Sequence, residues 1–435
     1  MTLRRVWAWA TSLRGRQLWV TLAGALVVDV MTGPSGSLND PTAGFAGSLL
    51  SRRVGIFLLI GFAFWLLVTS RERLAAWSRS WTAAVRPSRW LPSRWYRLAA
   101  YGVLLAVAIV LPLVLSPYWQ EVAVDQIGVY VLLALGLNVV VGLAGLLDLG
   151  YIAFYAIGAY SCAYWTDSLP IHPPFVLNPF ATIPFAIAAA MLAGVILGAP
   201  TLRLRGDYLA IVTLGFGEII TIYATNLQSV TGGSPGNSRP IPHFSINLFG
   251  LHYRWGIDNM PYYYLLLAFV VMVIVFFHNL ENSRVGRAWT AIREDEVAAA
   301  ASGVNTFRYK LLAFAIGAST SGFAGVLFAS KIQTITPLSF LLQQSILILV
   351  LVIFGGMGSI PGAIVGAAII QWFPNGLKTY VRKEDLFLYL GALLVVMMIY
   401  RPQGLIPSRR RARELALAES GLVEADALTT ASRDV

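Results

Sequence analysis

The residues that could do chemistry are few and widely spaced. Glu218 stands inside the apolar part of LRLRGDYLAIVTLGFGEII, residues 202–220, ten residues after Tyr208 and close to Gly215 and Gly217. At about 1.5 Å of rise per residue, a helix beginning at Tyr208 carries this carboxylate about 15 Å along its axis, near the middle of a bilayer. A charge at that depth is costly, so it must face a cavity or a bundle interior, find a partner, or be protonated. Two uses fit: lining or gating a pathway, or hydrogen bonding across helices that the two glycines let approach closely. Asn138, in the middle of GLNVVVGLAG at 136–145, poses the same choice. Asp148 and the glycines around it mark a break between two spans.

The residue sets of soluble catalysis are missing. No G-x-x-x-x-G-K-[ST] phosphate loop occurs, so the chain is not expected to hydrolyse ATP itself. The glycine cluster at 355–362 lacks the lysine and the strand-to-helix setting of a phosphate cradle, and reads as a helix breaker. Neither a Ser/His/Asp set nor a carboxylate pair sits in a plausible soluble pocket. His172, His243, His252 and His278 are scattered without ligand spacing, and Cys162 stands alone. No metal, no cofactor and no internal disulfide is expected from them.

The elements that must position these residues are mostly apolar. Of the 435 residues, 57% are hydrophobic and 12% charged, too much apolar surface for a soluble domain to hide. The class expected is an all-α polytopic membrane protein. Apolar runs fall near 17–31, 54–70, 99–117, 126–144, 151–167, 182–199, 208–227, 262–280, 311–330, 344–354, 361–372 and 386–400. About eight to ten transmembrane helices are expected in the core, with up to two N-terminal hydrophobic segments besides. The runs 344–354 and 361–372, split by the glycine cluster, fit short spans, a broken helix or a re-entrant hairpin; irregular backbone at depth survives only inside protein or beside a watery cavity.

The net charge of +11 is concentrated in segments. Arginines gather before the first run, at 71–97, at Arg203 and Arg205, at 284–308 and at 401–413, whereas 168–181 has no Lys or Arg and 228–261 has only Arg239 and Arg254. If all twelve runs cross, every arginine-rich segment falls on one side, with both termini cytoplasmic. Such basicity suits anionic lipid, not nucleic acid. Three regions follow: an N-terminal extension at 1–98, a membrane body at 99–407 and a polar tail at 408–435. Within the extension, 71–98 mixes arginine with Trp77, Trp81, Trp90 and Trp95, as a segment at headgroup level does. The basic start and the 17–31 run imitate a signal peptide, although no convincing small-residue cleavage site follows. Arg203, Arg205 and Asp207 read as headgroup anchors or as a contact with another subunit, and Thr231 to Asn237 as a turn opening a long outer loop.

The clearest pattern lies in ENSRVGRAWTAIREDEVAAAASGVNTFRYK, residues 281–310. Arg293, Glu294, Asp295 and Glu296 open the small-residue run Ala298 to Ala301, and Ser302 and Gly303 follow. Acidic residues suit a helix N-terminus and glycine its end. The expectation is a short helix with a bare alanine face, either a solvated connector or an element that inserts into a partner's groove.

This segment resembles the coupling loop by which ABC importer permeases dock on their ATPase subunits. Ala298, Ala299 and Gly303 match the A-A-x-x-x-G core, while Val297 replaces the usual Glu and Glu296 stands one place earlier. With GLNVVVGLAG, residues 202–218, GGMGS at 355–359 and RPQGL at 401–405, the chain from about 99 to 407 looks like the LivM-type permease family of branched-chain amino-acid ABC transporters. The resemblance implies a transport subunit of the bacterial inner membrane, not an enzyme. It also implies a second, LivH-like permease, two ATPase subunits bound to the cytoplasmic loops, and an extracytoplasmic amino-acid-binding protein. Permeases for urea and short amides look similar, so the cargo stays open between these classes. A stand-alone secondary transporter or channel would carry ion-coupling charges and inverted repeats, and a scaffold would leave the 293–303 helix without a use.

Overall fold

The computed structural model describes residues 93–202, 206–248, 251–256 and 258–377, with 391, 394, 395, 397 and 404–406. The extension up to residue 92, Arg203, Arg205 and the tail from 408 lie outside the described residues. The chain divides into two compact units, Met1–Leu104 and Leu105–Val435.

The architecture is helical, as the apolar runs predict. In chain order come α1 (Ser93–Val114), α2 (Pro117–Leu143), α3 (Tyr151–Trp165), α4 (Pro179–Thr201), α5 (Gly206–Asn226) and the one-turn α6 (Gln228–Thr231). A two-stranded antiparallel hairpin follows, β1 (Ser245–Leu248) against β2 (Leu251–Arg254), with Ser245 opposite Arg254. Then come α7 (Asn259–Glu281), α8 (Arg284–Glu294), α9 (Glu296–Ala301), α10 (Thr306–Ile332), α11 (Leu342–Gly355) and α12 (Ile360–Leu377). Among the described residues, six stretches are long and apolar enough to cross a membrane: Pro117–Leu143, Pro179–Thr201, Tyr208–Asn226, Asn259–Glu281, Thr306–Ile332 and Pro337–Gly355. The runs expected at 99–117, 151–167 and 361–372 fall on α1, α3 and α12.

Local chemistry starts these helices where it should. Pro179 opens α4, where its missing N–H is no loss and its fixed φ already suits a helix. Before it, Asn178 Oδ1 accepts from the Phe180 N–H at 3.2 Å, while its Nδ2 donates to the Ser245 carbonyl at 2.6 Å, tying the helix start to the hairpin. The first helix of the bundle proper, α2, is irregular. It turns as a π-helix over Val122–Gly128 and again over Asn138–Leu143, a rare form that re-aims side chains by adding a residue to a turn.

The centre of the bundle is α10, packed against α3 and α4 through small residues. Gly322 has no side chain, and a Cβ there would collide with Ala190 of α4, while Gly158 of α3 abuts the Gly322 carbonyl. Hydrocarbon gives apolar helices little reason to associate, so this close van der Waals fit and the hydrogen bonds across it hold the group together. Tyr151 donates to the Gly317 carbonyl at 3.0 Å, and Phe154 meets Phe314 edge-on with centroids 5.6 Å apart. The outer face of α4 is the reverse, with Leu192 and Ile196 exposed as lipid-facing residues are.

The glycine cluster is a sharp reversal. Gly355 packs on Gly362 and Leu351 on Gly366, so α11 and α12 fold back on each other as an antiparallel helical hairpin. The antiparallel packing rules out one continuous broken helix and fits both a pair of short spans and a re-entrant hairpin. Ser359 caps the second arm by accepting from the Gly362 N–H at 3.1 Å. The first arm is capped from far along the chain, because Leu405 and Ile406 donate their N–H groups to the Phe354 and Gly355 carbonyls, both at 2.9 Å.

Candidate functional site

The expected short helix is α9. Asp295 is its N-cap, accepting from the Val297 and Ala298 N–H groups at 2.8 and 3.0 Å, which satisfies two of the donors a helix start leaves open. Its end is a Schellman motif. Gly303 (φ 83°) donates to the Ala300 carbonyl at 3.0 Å and Val304 to the Ala299 carbonyl at 3.1 Å. Ala299 is buried and pins the helix, while Val297, Ala298, Ala300 and Ala301 are exposed. Val297 is 79% exposed, second among the large apolar side chains of the described residues only to Val114. Glu294 and Glu296 are exposed too, and Glu296 pairs with Lys310 of α10 at 2.5 Å.

Preceding it, α8 is the mount. Ser283 caps its start, accepting from the Val285 and Gly286 N–H groups at 3.1 and 3.3 Å. Trp289 is fully buried and donates its indole N–H to the Tyr309 carbonyl at 2.7 Å, locking α8 to the first turn of α10.

Arg293 departs from the other residues of the segment. It is half-buried, and its guanidinium Nη1 turns inward to donate to the Gly142 carbonyl at the π-helical end of α2. Four residues earlier in α2, Asn138 is 2% exposed and its Oδ1 accepts from the Gly358 N–H at 2.8 Å, in the reversal between α11 and α12. Asn138 therefore ties two elements together.

Glu218 lies midway along α5 and is half-buried. Among the described residues it has no hydrogen-bond or ion-pair partner. Its stripe along the helix includes Ile211, Gly215 and Ile222, and both isoleucines are exposed, at 66% and 57%. The two glycines differ: a Cβ on Gly217 would lie 3.4 Å from the Gly150 Cα, in ordinary contact, whereas Gly215 faces open space. The close approach in this region belongs to Gly150, which abuts the Thr213 carbonyl. The break before α3 is also where Asp148 is buried, with Oδ1 accepting from the Gly150 N–H at 2.9 Å and Oδ2 without a partner. Burial there pushes its carboxyl up to about 7, against the pull of the Gly150 bond.

At the opposite end of the bundle the structure assembles a polar cluster that no local pattern announced. Asp125, on the first π segment of α2, and Lys331, at the end of α10, line one small cavity with Val129, Tyr262, Leu266 and Phe328. Lys331 Nζ donates to Asn259 Oδ1 at 2.8 Å and stands 4.8 Å over the Tyr262 ring. Asp125 Oδ1 is buried without a hydrogen-bond partner. The turn at Thr231 to Asn237 forms at this end, with positive φ at Gly232, Gly233 and Gly236, and Asn237 stitches it to α10 through Gln333 and Ile335. Nearby on the surface, Asp167 holds His172 at 2.6 Å and also pairs with Arg239. Among the described residues, no group of three or more His, Cys, Asp or Glu is placed to hold a metal.

A helical bundle with spans of this length, a reversal inside it and a capped, apolar helix mounted at one end is the build of a multi-pass transport protein. The chain belongs to the branched-chain amino-acid transport permease family, whose description reads "Branched-chain amino acid transport system / permease component" and whose model matches residues 123–400. It is 42% identical over 325 residues to the high-affinity branched-chain amino-acid transport permease LivM of Escherichia coli, covering 71% of this chain and 74% of that protein. LivM of Salmonella typhimurium is 41% identical over the same length. The permease LivH of Escherichia coli is 25% identical over 293 residues, 64% of this chain and 91% of that one. No solved structure matches the chain.

Proposed function

We propose that this chain is the transmembrane permease subunit of an ATP-driven importer for branched-chain amino acids. In this reading it forms half of the translocation pathway beside a second, LivH-like permease, and the pair binds two ATPase subunits through its cytoplasmic loops and receives cargo from an extracytoplasmic binding protein. It lies in the bacterial inner membrane with both termini cytoplasmic, the permease body running from about 99 to 407 between an N-terminal extension at 1–98 and a cytoplasmic tail at 408–435.

The observation that carries the proposal is α9: a six-residue helix capped at both ends, with Val297 and three alanines presented outward. A short rigid helix with a smooth apolar face is what a groove in a partner can grip, and its mount through Trp289 passes a push on α9 into the bundle. Rigid levers joined to bistable bundles are how such pushes become conformational change. The outward stripe of α5 supports the paired arrangement. A carboxylate at mid-span between Ile211 and Ile222 is expensive against lipid, so we place this stripe against the second permease or the pathway between the two.

Co-purification tests the subunit reading: the tagged chain should bring down a second permease and an ATPase, and an active chain alone would sink it. Glu296→Ala combined with Gly303→Leu should separate ATP hydrolysis from uptake while the protein still inserts. Competition between leucine and urea for uptake in a deletion strain decides the cargo class.

A further inference from the structure

The mount of α9 does not end at Trp289. Arg293 is the penultimate residue of α8, two before the N-cap of α9, so it moves with that helix. Its stem crosses Gly145 (φ 72°), where a Cβ would stand 2.9 Å from Arg293 Cγ. Its guanidinium meets the Gly142 carbonyl and lies against Gly358 (φ 80°), where a Cβ would stand 3.1 Å from Nη1. Gly142 in turn is pressed between Asn138 and Gly358 and has no room for a side chain. One cation thus touches the end of α2, the loop after it and the reversal between α11 and α12.

The physical setting favours this position for a cation. Both α2 and α11 end here, and carbonyl-rich helix C-termini attract positive charge. The π turn leaves the α2 carbonyls in an altered register: Ala144 donates to Val139 and Leu146 to Val140, both at 3.0 Å. The Gly142 carbonyl is taken by Arg293. Single π turns inside α-helices are rare and are found frequently at functional sites.

Resting on the reading of α9 as the ATPase-gripped helix, we infer that Arg293 is the positioning residue that carries movement of α9 into the transmembrane bundle. It acts by holding Gly142 in the π register and releasing it when α9 is displaced. It does not contact the ATPase. Asn138 passes the shift on to the α11–α12 reversal through Gly358.

The test uses the whole transporter, purified with its partners and reconstituted in proteoliposomes, with labelled leucine as cargo. Arg293→Gln should keep the ATPase subunits bound and ATP hydrolysis within about twofold, while leucine moved per ATP falls at least tenfold. Arg293→Lys, which keeps the charge, should recover part of that ratio. Val297→Asp, on the outward face, should do the opposite and release the ATPase. A structural role alone would lower hydrolysis and uptake in proportion, and that result overturns the inference, as does loss of the ATPase in Arg293→Gln or an unchanged ratio. If the Arg293→Gln chain does not fold into the membrane at all, Gly145→Ala, which displaces the arginine stem, must lower the ratio, and a normal ratio there refutes the role. Failure of the native chain to bind any ATPase would instead overturn the proposed function.

Discussion

Trp289 offers the sharpest quantitative test of how α8 is held. The indole is fully buried and its N–H donates to the Tyr309 carbonyl. Trp289→Ala removes a large side chain from a closed site, and the lost contacts plus the cavity destabilise by about 3–5 kcal/mol. Trp289→Phe keeps most of the apolar volume and loses the hydrogen bond. Because Tyr309 lies inside α10, its carbonyl still has its helix partner four residues on, so no orphan acceptor is left and the loss is about 0.5–1.5 kcal/mol. Denaturant unfolding of the detergent-solubilised protein should therefore rank native, Phe and Ala in that order, with at least ~1.5 kcal/mol between the variants. Equal losses for Phe and Ala would show that the hydrogen bond alone, and not the packing of the buried indole, holds α8, which would refute the packing share of this reasoning.

Three further expectations concern charge. Hydrogen bonding from His172, with Arg239 nearby, holds the Asp167 carboxyl below its usual range. A folded value below the unfolded one contributes stability that is fully present above the unfolded carboxylate range and is lost as pH falls through the lowered value, so the difference in melting temperature between native and Asp167→Asn should shrink on acidification from pH 6 to 3. Asp148 behaves oppositely: its folded carboxyl is raised to about 7, so its contribution is complete in acid and fades as pH rises from the unfolded value through about 7; Asp148→Asn should flatten this decline, and an unchanged pH profile would rule the group out. For Asp125 and Lys331, which share a cavity, a double-mutant cycle with Asp125→Asn and Lys331→Met should return a coupling of about 0.5–3 kcal/mol, and additive losses would mean that the two charges do not feel each other.

Much of this was legible because it is written locally. Apolar runs announce helices, and the acidic residues at 294–296 and Gly303 announce the start and end of a short one, since each signal acts over four or five neighbouring residues; that Arg293 and Glu294 belong to the helix before it was not announced. The start of α2 at Pro117 was hidden, because Gln120, Glu121, Asp125 and Gln126 interrupt the apolar pattern that would have reported it. Arg293 read as one of a charged surface quartet because nothing nearby tells that its partner is Gly142, 151 positions away. The bond between Asn138 and Gly358 spans 220 positions, and the meeting of Asp125 with Lys331 depends on three helices converging. Such contacts follow from packing, which one sequence does not spell out. Glu218 lies between these cases: its depth was readable, while its place on a stripe with exposed isoleucines required the helix to be set against its neighbours.

The cap on α11 has a consequence in time. The carbonyls of Phe354 and Gly355 receive their donors from Leu405 and Ile406, some fifty residues later in synthesis. While the ribosome is still making the intervening chain, the tip of the α11–α12 hairpin is open and its two carbonyls must rely on water. The reversal that receives Asn138 and borders Arg293 is therefore finished only after Ile406 has been made. Maturation of this protein has a built-in late stitch, and a chain cut before Gly404 would still lack it.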